Sequence, residues 1–333
     1  MPIVYIAGDA PGVGVTAAAT GLASHLGGVV TLAKAASFRS PDPDAAFHRA
    51  LLPHASAPAS WPVSLESADD VARSVTQFAG APVADGLVIV EGVSGADSAS
   101  DSLRADVAIA DALNARVVLV SSPASAQPAR AAEAYGDRLA GVIINHVPVH
   151  GTHTARAETS TAFEEQGVPV LGLVPEDRRM LAPTVRNVAE HLGAHCINHG
   201  DLEDPDVALD ALVEHFMLGG LFLDTGVYVF GRREEKAVIV RGDRPDLQMA
   251  ALETSTVCLV LTEGRLPVQY IVHHADLNQV PMLLVGRPTL ETMEALHNVG
   301  ERATVHSAHK ARRFGQLLSA HCDLSQLTAA SAA

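Results

Sequence analysis

Short apolar runs alternate with longer alanine-rich stretches over residues 1 to about 175. The runs are rich in β-branched residues and apolar at successive positions, as expected of strands that are buried on both faces. The pattern therefore predicts an α/β fold with a three-layer, doubly wound and mostly parallel sheet. The predicted strands are Ile3–Ala7, Val29–Ala33, Leu87–Val90, Val117–Val120, Val142–Ile144 and Val170–Leu173.

A charged segment that ends in proline, PEDRRMLAP at residues 175–183, interrupts this alternation and predicts a hinge. A helix is expected from Thr184 to Leu192, ending at Gly193. We predict one domain over residues 1–178, a smaller α/β domain over 179–300, and a polar C-terminal helix with a tail over 301–333. In the second domain we expect strands at Ala237–Val240, Val257–Leu261 and Met282–Val285, and helices that begin near Asp246, Val268 and Leu290.

The first predicted strand leads into GDAPGVGVT, residues 8–16, and then into an alanine-rich helix. Glycines at 12 and 14 allow backbone N–H groups to close on phosphate oxygens at the positive end of the helix dipole. Thr16 would place its hydroxyl on Mg²⁺, but Val15 stands where a P-loop carries its lysine. We predict a weakened phosphate site, and a glycine-rich turn without a ligand is the alternative. The predicted nucleotide-binding residues in this loop are Gly8, Gly12, Val13, Gly14, Val15 and Thr16.

Polar residues also end other predicted strands, where ligands bind in open α/β sheets. Lys34 ends the second strand, and Asp44 follows Asp42 as a helix cap or a metal ligand. Glu91 ends an apolar strand in VIVEGVSG, whose Gly92 and Gly95 allow a tight turn. We interpret Glu91 as a magnesium ligand or as a residue that holds water, and the alternative is a solvated surface group. The amide of Asn145 could bond a base edge, and the alternative is a loop asparagine that bonds its own backbone.

The net charge is −15, from 23 Lys and Arg against 38 Asp and Glu. Such a charge repels nucleic acid and anionic membranes, so we expect neither as a partner. Three widely spaced cysteines without a CxxC pair favour a reducing compartment, and the cytoplasm is the expected location. We find no convincing signal peptide or membrane span.

The main basic region of this acidic chain lies in the second domain, around KAVIVRGDRPD at residues 236–246. A strand is predicted to end there at Arg241, before a helix that opens with Pro245. An anion could rest on Gly242, Asp243 and Arg244, which makes them a possible regulatory ligand site. A solvated turn in which Asp243 pairs with Arg244 is the equal alternative.

The motifs GDAPGVGVT, TLAKAAS, PDPDAAF, VIVEGVSG and GVIINHVP, in this order, resemble a dethiobiotin-synthetase-like P-loop domain. EDRRMLAPTVRNVAEHLGAHCINHGD, RGDRPDLQMAAL and LVLTEGRLP are similar to a DRTGG domain. Together, over residues 1 to about 300, they resemble the N-terminal regulatory half of long bacterial phosphate acetyltransferases. About thirty residues follow, so we expect no acetyltransferase catalytic domain and no acyl transfer on this chain.

The resemblance implies roles for several residues. Thr16, Asp44 and Glu91 would lie near Mg²⁺, Lys34 near the phosphates or the substrate, and Asn145 against adenine. It implies a homodimer that uses Mg²⁺ with ATP or a related adenine nucleotide, and a metabolic enzyme as a possible partner. We expect a regulatory or sensory nucleotide-binding protein with weak or no catalysis. The alternatives are an ATP-dependent ligase that phosphorylates a carboxylate or carbamate, and a structural subunit that has lost its ligands.

Overall fold

A computed structural model describes residues 3–26, 30–53, 56, 86–94, 99–149, 153–220 and 226–328. Of the sequence predictions, Val29, Gly95 and the tail residues 329–333 lie outside these ranges. The chain forms two compact units, Met1–Glu176 together with Lys310–Ala333, and Asp177–His309. Residues 301–333, which the sequence analysis treated as one separate segment, are thus divided between the two.

The first unit contains a parallel sheet of six strands in the order β2-β3-β1-β4-β5-β6. Strand order reverses around β1 because the chain winds first to one side of it and then to the other. This sheet and its intervening helices confirm the predicted α/β, doubly wound fold class. The strands are β1 (Ile3–Gly8), β2 (Val30–Lys34), β3 (Leu87–Glu91), β4 (Arg116–Ser121), β5 (Leu139–Val147) and β6 (Val170–Pro175).

The described helices of this unit connect the strands and pack on the sheet. A core that includes Tyr5, Val90, Val117 and Ile144 is almost completely buried, as the unbroken apolar runs predict. The helices are α1 (Val15–Leu26), α2 (Pro43–Leu51), α3 (Ala99–Ala112), α4 (Pro128–Tyr135) and α5 (His153–Glu164).

The C-terminal helices complete the first unit. They are amphipathic rather than merely polar, because Phe314, Leu318 and Leu327 are buried. The longer one packs against α1 where two glycines meet: a Cβ on Gly315 would lie 2.7 Å from the carbonyl oxygen of Gly21. Cys322 then forms an antiparallel bridge to β6.

The second unit is smaller and has a five-stranded sheet in the order β7-β11-β10-β9-β8, in which only β7 is antiparallel. The three predicted strands are its centre, and the sequence reading missed the edge strands β7 and β8. The strands are β7 (His195–Cys196), β8 (His215–Leu218), β9 (Lys236–Arg241), β10 (Thr256–Thr262) and β11 (Met282–Leu284).

The helix after the hinge has the expected ends. Thr184 caps it, since its hydroxyl accepts from the Asn187 N–H and the Asn187 side chain accepts from the Thr184 N–H, and Gly193 ends it in the left-handed conformation.

None of the described helices is long and apolar enough to cross a bilayer. The remaining helices, in chain order, are α6 (Arg178–Leu181), α7 (Val185–Leu192), α8 (Pro205–Asp210), α9 (Gly226–Phe230), α10 (Pro245–Leu252), α11 (Gln269–Leu277), α12 (Thr289–Ala295), α13 (Ala308–His321) and α14 (Ser325–Thr328).

Candidate functional site

The glycine-rich loop joins β1 to α1 and needs its glycines for two different reasons. Gly12 and Gly14 have φ angles of +79° and +101°, which L side chains rarely adopt. A Cβ on Gly14 would also lie 2.5 Å from the Asn145 amide nitrogen, whereas a Cβ on Gly12 would meet open space. Gly8 is needed for packing, since a Cβ there would lie 2.6 Å from the Val15 side chain. Val13 is buried.

Four predicted site residues meet beside this loop. The register of β2 and β3 pairs Lys34 with Glu91 at the carboxyl ends of both strands. The Lys34 ammonium lies 2.7 Å from Glu91 Oε1 and 3.1 Å from Asp44 Oδ2. The Thr16 hydroxyl lies 2.7 Å from the same Glu91 oxygen and 3.3 Å from Asp44 Oδ1. We call Thr16, Lys34, Asp44 and Glu91 the loop cluster.

Charges in the loop cluster stabilise one another. Burial alone would raise the pKa of Glu91, but the neighbouring Lys34 and His48 overcome it and hold that pKa below its ordinary value. Burial likewise acts to lower the pKa of Lys34, while Glu91 and Asp44 raise it above its ordinary value. A buried ammonium therefore stands beside the ionised carboxylate of Glu91 at neutral pH.

The sequence analysis missed His48, although its spacing from Asp44 carried a signal. The two residues are four apart on α2 and so share a helix face. His48 is 2 % exposed, and its Nε2 lies 2.7 Å from Glu91 Oε2, the oxygen opposite to the one that Lys34 contacts.

The helix cap assigned to Asp44 as one option belongs to Asp42. The Asp42 carboxylate accepts from the Ala45 N–H, and its second oxygen accepts from the Ser94 hydroxyl. Asp42 thereby ties the start of α2 to the turn after β3. Asp44, on the first turn of the helix, is left to face the loop cluster.

Asn145 lies beneath the glycine-rich loop. Its amide nitrogen donates to the Val13 carbonyl oxygen over 2.9 Å, and the residue is 4 % exposed. This contact fixes the loop from below, at the point where Gly14 has no side chain. The implied contact of Asn145 with adenine stays a prediction.

The donors of the loop cluster suit Mg²⁺ in their chemistry. Thr16, Asp44 and Glu91 offer a hydroxyl and two carboxylates, the hard oxygen ligands that Mg²⁺ takes. Lys34 supplies positive charge to both carboxylates. Within the described ranges, no three His, Cys, Asp or Glu residues form a metal-binding group. Because Mg²⁺ usually keeps several waters and shares its coordination with phosphate oxygens, these three residues would supply part of its ligands.

A second polar group, which the sequence analysis did not find, lies on the other side of β1. Asp9, the second residue of the loop motif, accepts hydrogen bonds from the hydroxyls of Ser121, the last residue of β4, and of Ser125, which follows that strand. In a separate contact, the Tyr5 hydroxyl donates to Asp106 of α3 over 2.6 Å, and Asp106 also accepts from the Val93 N–H after β3. Burial raises the pKa of Asp106 to about 6.

In the second unit, the charged side chains of residues 241–246, which we call the GDRPD loop, pair with one another. Arg241 forms a two-bond pair with Asp243, and Arg244 forms one with Asp246. The alternative of a solvated turn in which Asp243 pairs with Arg244 is therefore wrong in its partners. Arg265 also lies 2.7 Å from Asp243. Gly242 is required by packing, because a Cβ there would collide with the Arg265 carbonyl. The ligand role of Gly242, Asp243 and Arg244 stays a prediction.

Comparisons with known proteins support the architecture. An AAA domain model matches residues 3–184, and a DRTGG domain model matches residues 187–299. The phosphate acetyltransferase of Pseudomonas putida is 25 % identical over 271 residues, which are 74 % of this chain and 37 % of that enzyme. The Escherichia coli phosphate acetyltransferase is 22 % identical over 294 residues, 74 % of this chain and 39 % of the enzyme. The chain thus spans well under half the length of these relatives.

Structural likenesses are weaker. The CBS and DRTGG regulatory region of Clostridium perfringens pyrophosphatase, complexed with the activator diadenosine tetraphosphate, matches 37 % of this chain and 51 % of that chain, with 17 % identity and a TM-score of 0.30. MinD from Pyrococcus horikoshii, complexed with Mg-ADP, matches 54 % and 83 % respectively, with 14 % identity and a TM-score of 0.36. The fold assignment rests on the strand order given above. By its residues 3–184 the chain belongs to the AAA domain family, and with its DRTGG domain it is related to part of the phosphate acetyltransferases.

Proposed function

We propose that the first unit binds an adenine nucleotide at the glycine-rich loop and that the chain is a regulatory or sensory protein with weak or no catalysis. The observation that carries the proposal is the convergence of Thr16, Lys34, Asp44 and Glu91 within 2.7–3.3 Å contacts, beside a loop with two left-handed glycines. A hydroxyl, an ammonium and two carboxylates beside the backbone N–H groups of the loop suit a magnesium–phosphate ligand.

Each residue has a role in this proposal. The N–H groups of the loop bind phosphate oxygens, and Asn145 holds the loop through the Val13 carbonyl. Thr16, Asp44 and Glu91 hold Mg²⁺, which would neutralise phosphate charge. Lys34 supplies the ammonium that Val15 does not. Because two carboxylates share that ammonium, less of its charge is available to a transferring phosphoryl group, which favours binding over turnover.

The position of Lys34 also favours a second candidate function, an ATP-dependent ligase that phosphorylates a carboxylate or carbamate. Lys34 is a buried cation that contacts Glu91 and Asp44 near the loop, where it could compensate for Val15. The two functions differ in turnover. The experiment is a calorimetric titration of the full chain with Mg·ATP, followed by analysis of the nucleotide left in the cell.

Binding with intact ATP supports the sensor, and binding with release of ADP supports the ligase. Thr16→Ala and Glu91→Gln should each weaken magnesium-dependent binding, and Val15→Lys should tighten it by about tenfold or more, the worth of one charge-assisted hydrogen bond. If neither the natural chain nor Val15→Lys releases binding heat at millimolar ATP, the proposal of nucleotide binding at this loop is contradicted. A structural subunit without a ligand would then be the remaining hypothesis.

The loop itself offers a matched pair of variants. Gly14→Ala and Gly12→Ala both place a side chain at positive φ, which costs about 1–2 kcal/mol. Only the Cβ at position 14 also meets the Asn145 amide. We expect Gly14→Ala to weaken nucleotide binding more than Gly12→Ala, by calorimetry. Equal affinities in the two variants would mean that Asn145 does not hold the loop in its binding form.

The proposal extends to assembly and location. A homodimer, a metabolic enzyme as partner and a cytoplasmic location are expectations from the sequence and its resemblance. The three cysteines, Cys196, Cys258 and Cys322, are free, which suits a reducing compartment. Sedimentation with and without Mg·ATP would test the dimer.

A further inference from the structure

A cavity of about 710 Å³ lies entirely within the second unit. It is formed around the amino ends of β8 and β9, with walls from α6, the two residues that follow it and α12. The GDRPD loop follows the carboxyl end of β9, so the cavity is at the opposite edge of the same sheet. Its volume is within the range of about 300–1,000 Å³ that small-molecule sites occupy.

The floor of the cavity is the surface of the unit's hydrophobic core. Leu296 and Val299 belong to the buried cluster on one face of the sheet, and Phe216 and Met293 pack against that cluster. A ligand that covers this floor gains the free energy of apolar burial. The floor therefore favours a ligand with an apolar or aromatic body.

The rim is basic, although the chain as a whole is acidic. Arg178, Arg233, His215 and His297 line the cavity, and Glu214 is the acidic residue among the lining side chains. The Glu214 carboxylate lies 2.6 Å from Arg179, so its charge is compensated. Neither Arg178 nor Arg233 forms an ion pair with any residue in the described ranges. Their guanidinium groups are free to bind an anion.

We propose that this cavity is a binding site for an organic anion, a phosphate or carboxylate joined to an apolar or aromatic body. The apolar body covers Phe216 and Met293, and Arg178 and Arg233 bind the anionic group. The site is distinct from the loop cluster and from the GDRPD loop, whose arginines already pair with Asp243 and Asp246. It gives the second unit a ligand of its own, independent of nucleotide binding in the first.

Methionine methyl groups report on this site in the full chain. The probe is 1-naphthyl phosphate, which carries a dianionic group on a flat apolar ring. Its ring current should shift the ¹³C-methyl signal of Met293, in a saturable way. Met249 and Met282 belong to the core on the other face of the sheet and should not shift. Inorganic phosphate carries only the anionic group, and 1-naphthol carries only the aromatic ring. Each should bind more weakly than 1-naphthyl phosphate.

Paired variants locate the anion. Arg178→Ala with Arg233→Ala should weaken binding by at least about tenfold, the worth of one or two charge-assisted contacts. The matched control, Arg241→Ala with Arg244→Ala, removes two arginines from the GDRPD loop and should leave the Met293 titration unchanged. Unshifted Met249 and Met282 signals show that the variants are folded, and Thr16→Ala should leave the titration unchanged as well.

Three results would overturn the proposal: a Met293 signal that does not move, equal binding of 1-naphthol and 1-naphthyl phosphate, or an affinity that falls with the GDRPD variant and not with the cavity variant. The second would mean an apolar hollow without anion recognition. The third would place the anion in the loop.

Discussion

The loop cluster and the GDRPD loop both follow carboxyl ends of parallel strands, and both contain ion pairs of similar length. Lys34 lies 2.7 Å from Glu91, and Arg241 lies 2.6 Å from Asp243. They differ in burial: the Lys34 and Glu91 side chains are each 1 % exposed, whereas those of Arg241 and Asp243 are 45 % and 35 % exposed. Contact distance alone therefore says little about what each pair does.

Burial changes both the energy and the chemistry of such pairs. Water and salt screen the GDRPD pairs, and exposed pairs of this kind add little to stability. In the loop cluster, removing one partner leaves an uncompensated charge in the interior. The buried cluster is thus held together by its own charges, and a ligand with phosphate and Mg²⁺ could exchange partners within it. The exposed loop is already satisfied by its own pairs.

The strongest test of this comparison is Lys34→Met. It leaves Glu91 and Asp44 without their shared ammonium, and we expect the first unit to lose about 3–5 kcal/mol of stability. Chemical denaturation followed by circular dichroism measures this loss. Replacing Glu91 as well, in Lys34→Met with Glu91→Gln, should restore part of the stability, because no unpaired charge is left at that position.

A matched control is Lys236→Met in the second unit. Lys236 is also buried, but its ammonium donates to the Ser255 carbonyl oxygen over 2.7 Å instead of pairing with a carboxylate. Its loss leaves a neutral acceptor unsatisfied, for about 1–3 kcal/mol. If Lys34→Met and Lys236→Met lower the stability by the same amount, the unpaired carboxylates are not the cause of the loss at Lys34.

Asp106 sharpens the comparison, because it is a buried carboxylate bonded to Tyr5 and Val93 and not to a cation. Burial raises its pKa to about 6 from 3.8, so the folded state holds its proton more tightly than the unfolded state does. Asp106 therefore lowers stability progressively as pH rises from about 4 to 6, and the full cost, about 3 kcal/mol, is present above that window.

Asp106→Asn should keep both hydrogen bonds through its carbonyl oxygen and remove the titration. Between pH 4 and 7 we expect the stability of the variant to improve, relative to the natural chain, by about 3 kcal/mol. Denaturation at a series of pH values measures the difference. A difference that does not change with pH would show that Asp106 is not buried as a titrating acid.

Sequence reasoning was strongest where a pattern is local. Apolar runs located all six strands of the first sheet, and Thr184 with Gly193 marked the ends of α7. The motif order also singled out Thr16, Lys34, Asp44 and Glu91, which the fold brings together. Parallel strands with a common edge make such convergence predictable once the strands are known.

Long-range packing decided the rest. His48 joins the loop cluster only because α2 packs against β2, which brings the His48 ring to Glu91 at the end of β3. Asp9 meets Ser121 only because β1 and β4 are neighbours. The edge strands β7 and β8 are short and only partly buried, so they lack a strong apolar run. The cavity of the second unit has no sequence motif, since its basic residues come from four separate segments.

The smallest expected change in stability is at the exposed ion pairs of the GDRPD loop. Arg241→Ala removes a pair that water already screens, and Arg265 still contacts Asp243, so we expect unchanged thermal unfolding of the second unit. The neighbouring Gly242→Ala should instead destabilise that unit, because its Cβ would collide with the Arg265 carbonyl. If Arg241→Ala destabilises as much as Gly242→Ala does, the exposed pairs hold the loop together and burial does not separate the two regions. If only Gly242→Ala destabilises the unit, backbone packing determines the conformation of the GDRPD loop, and its exposed ion pairs add little to stability.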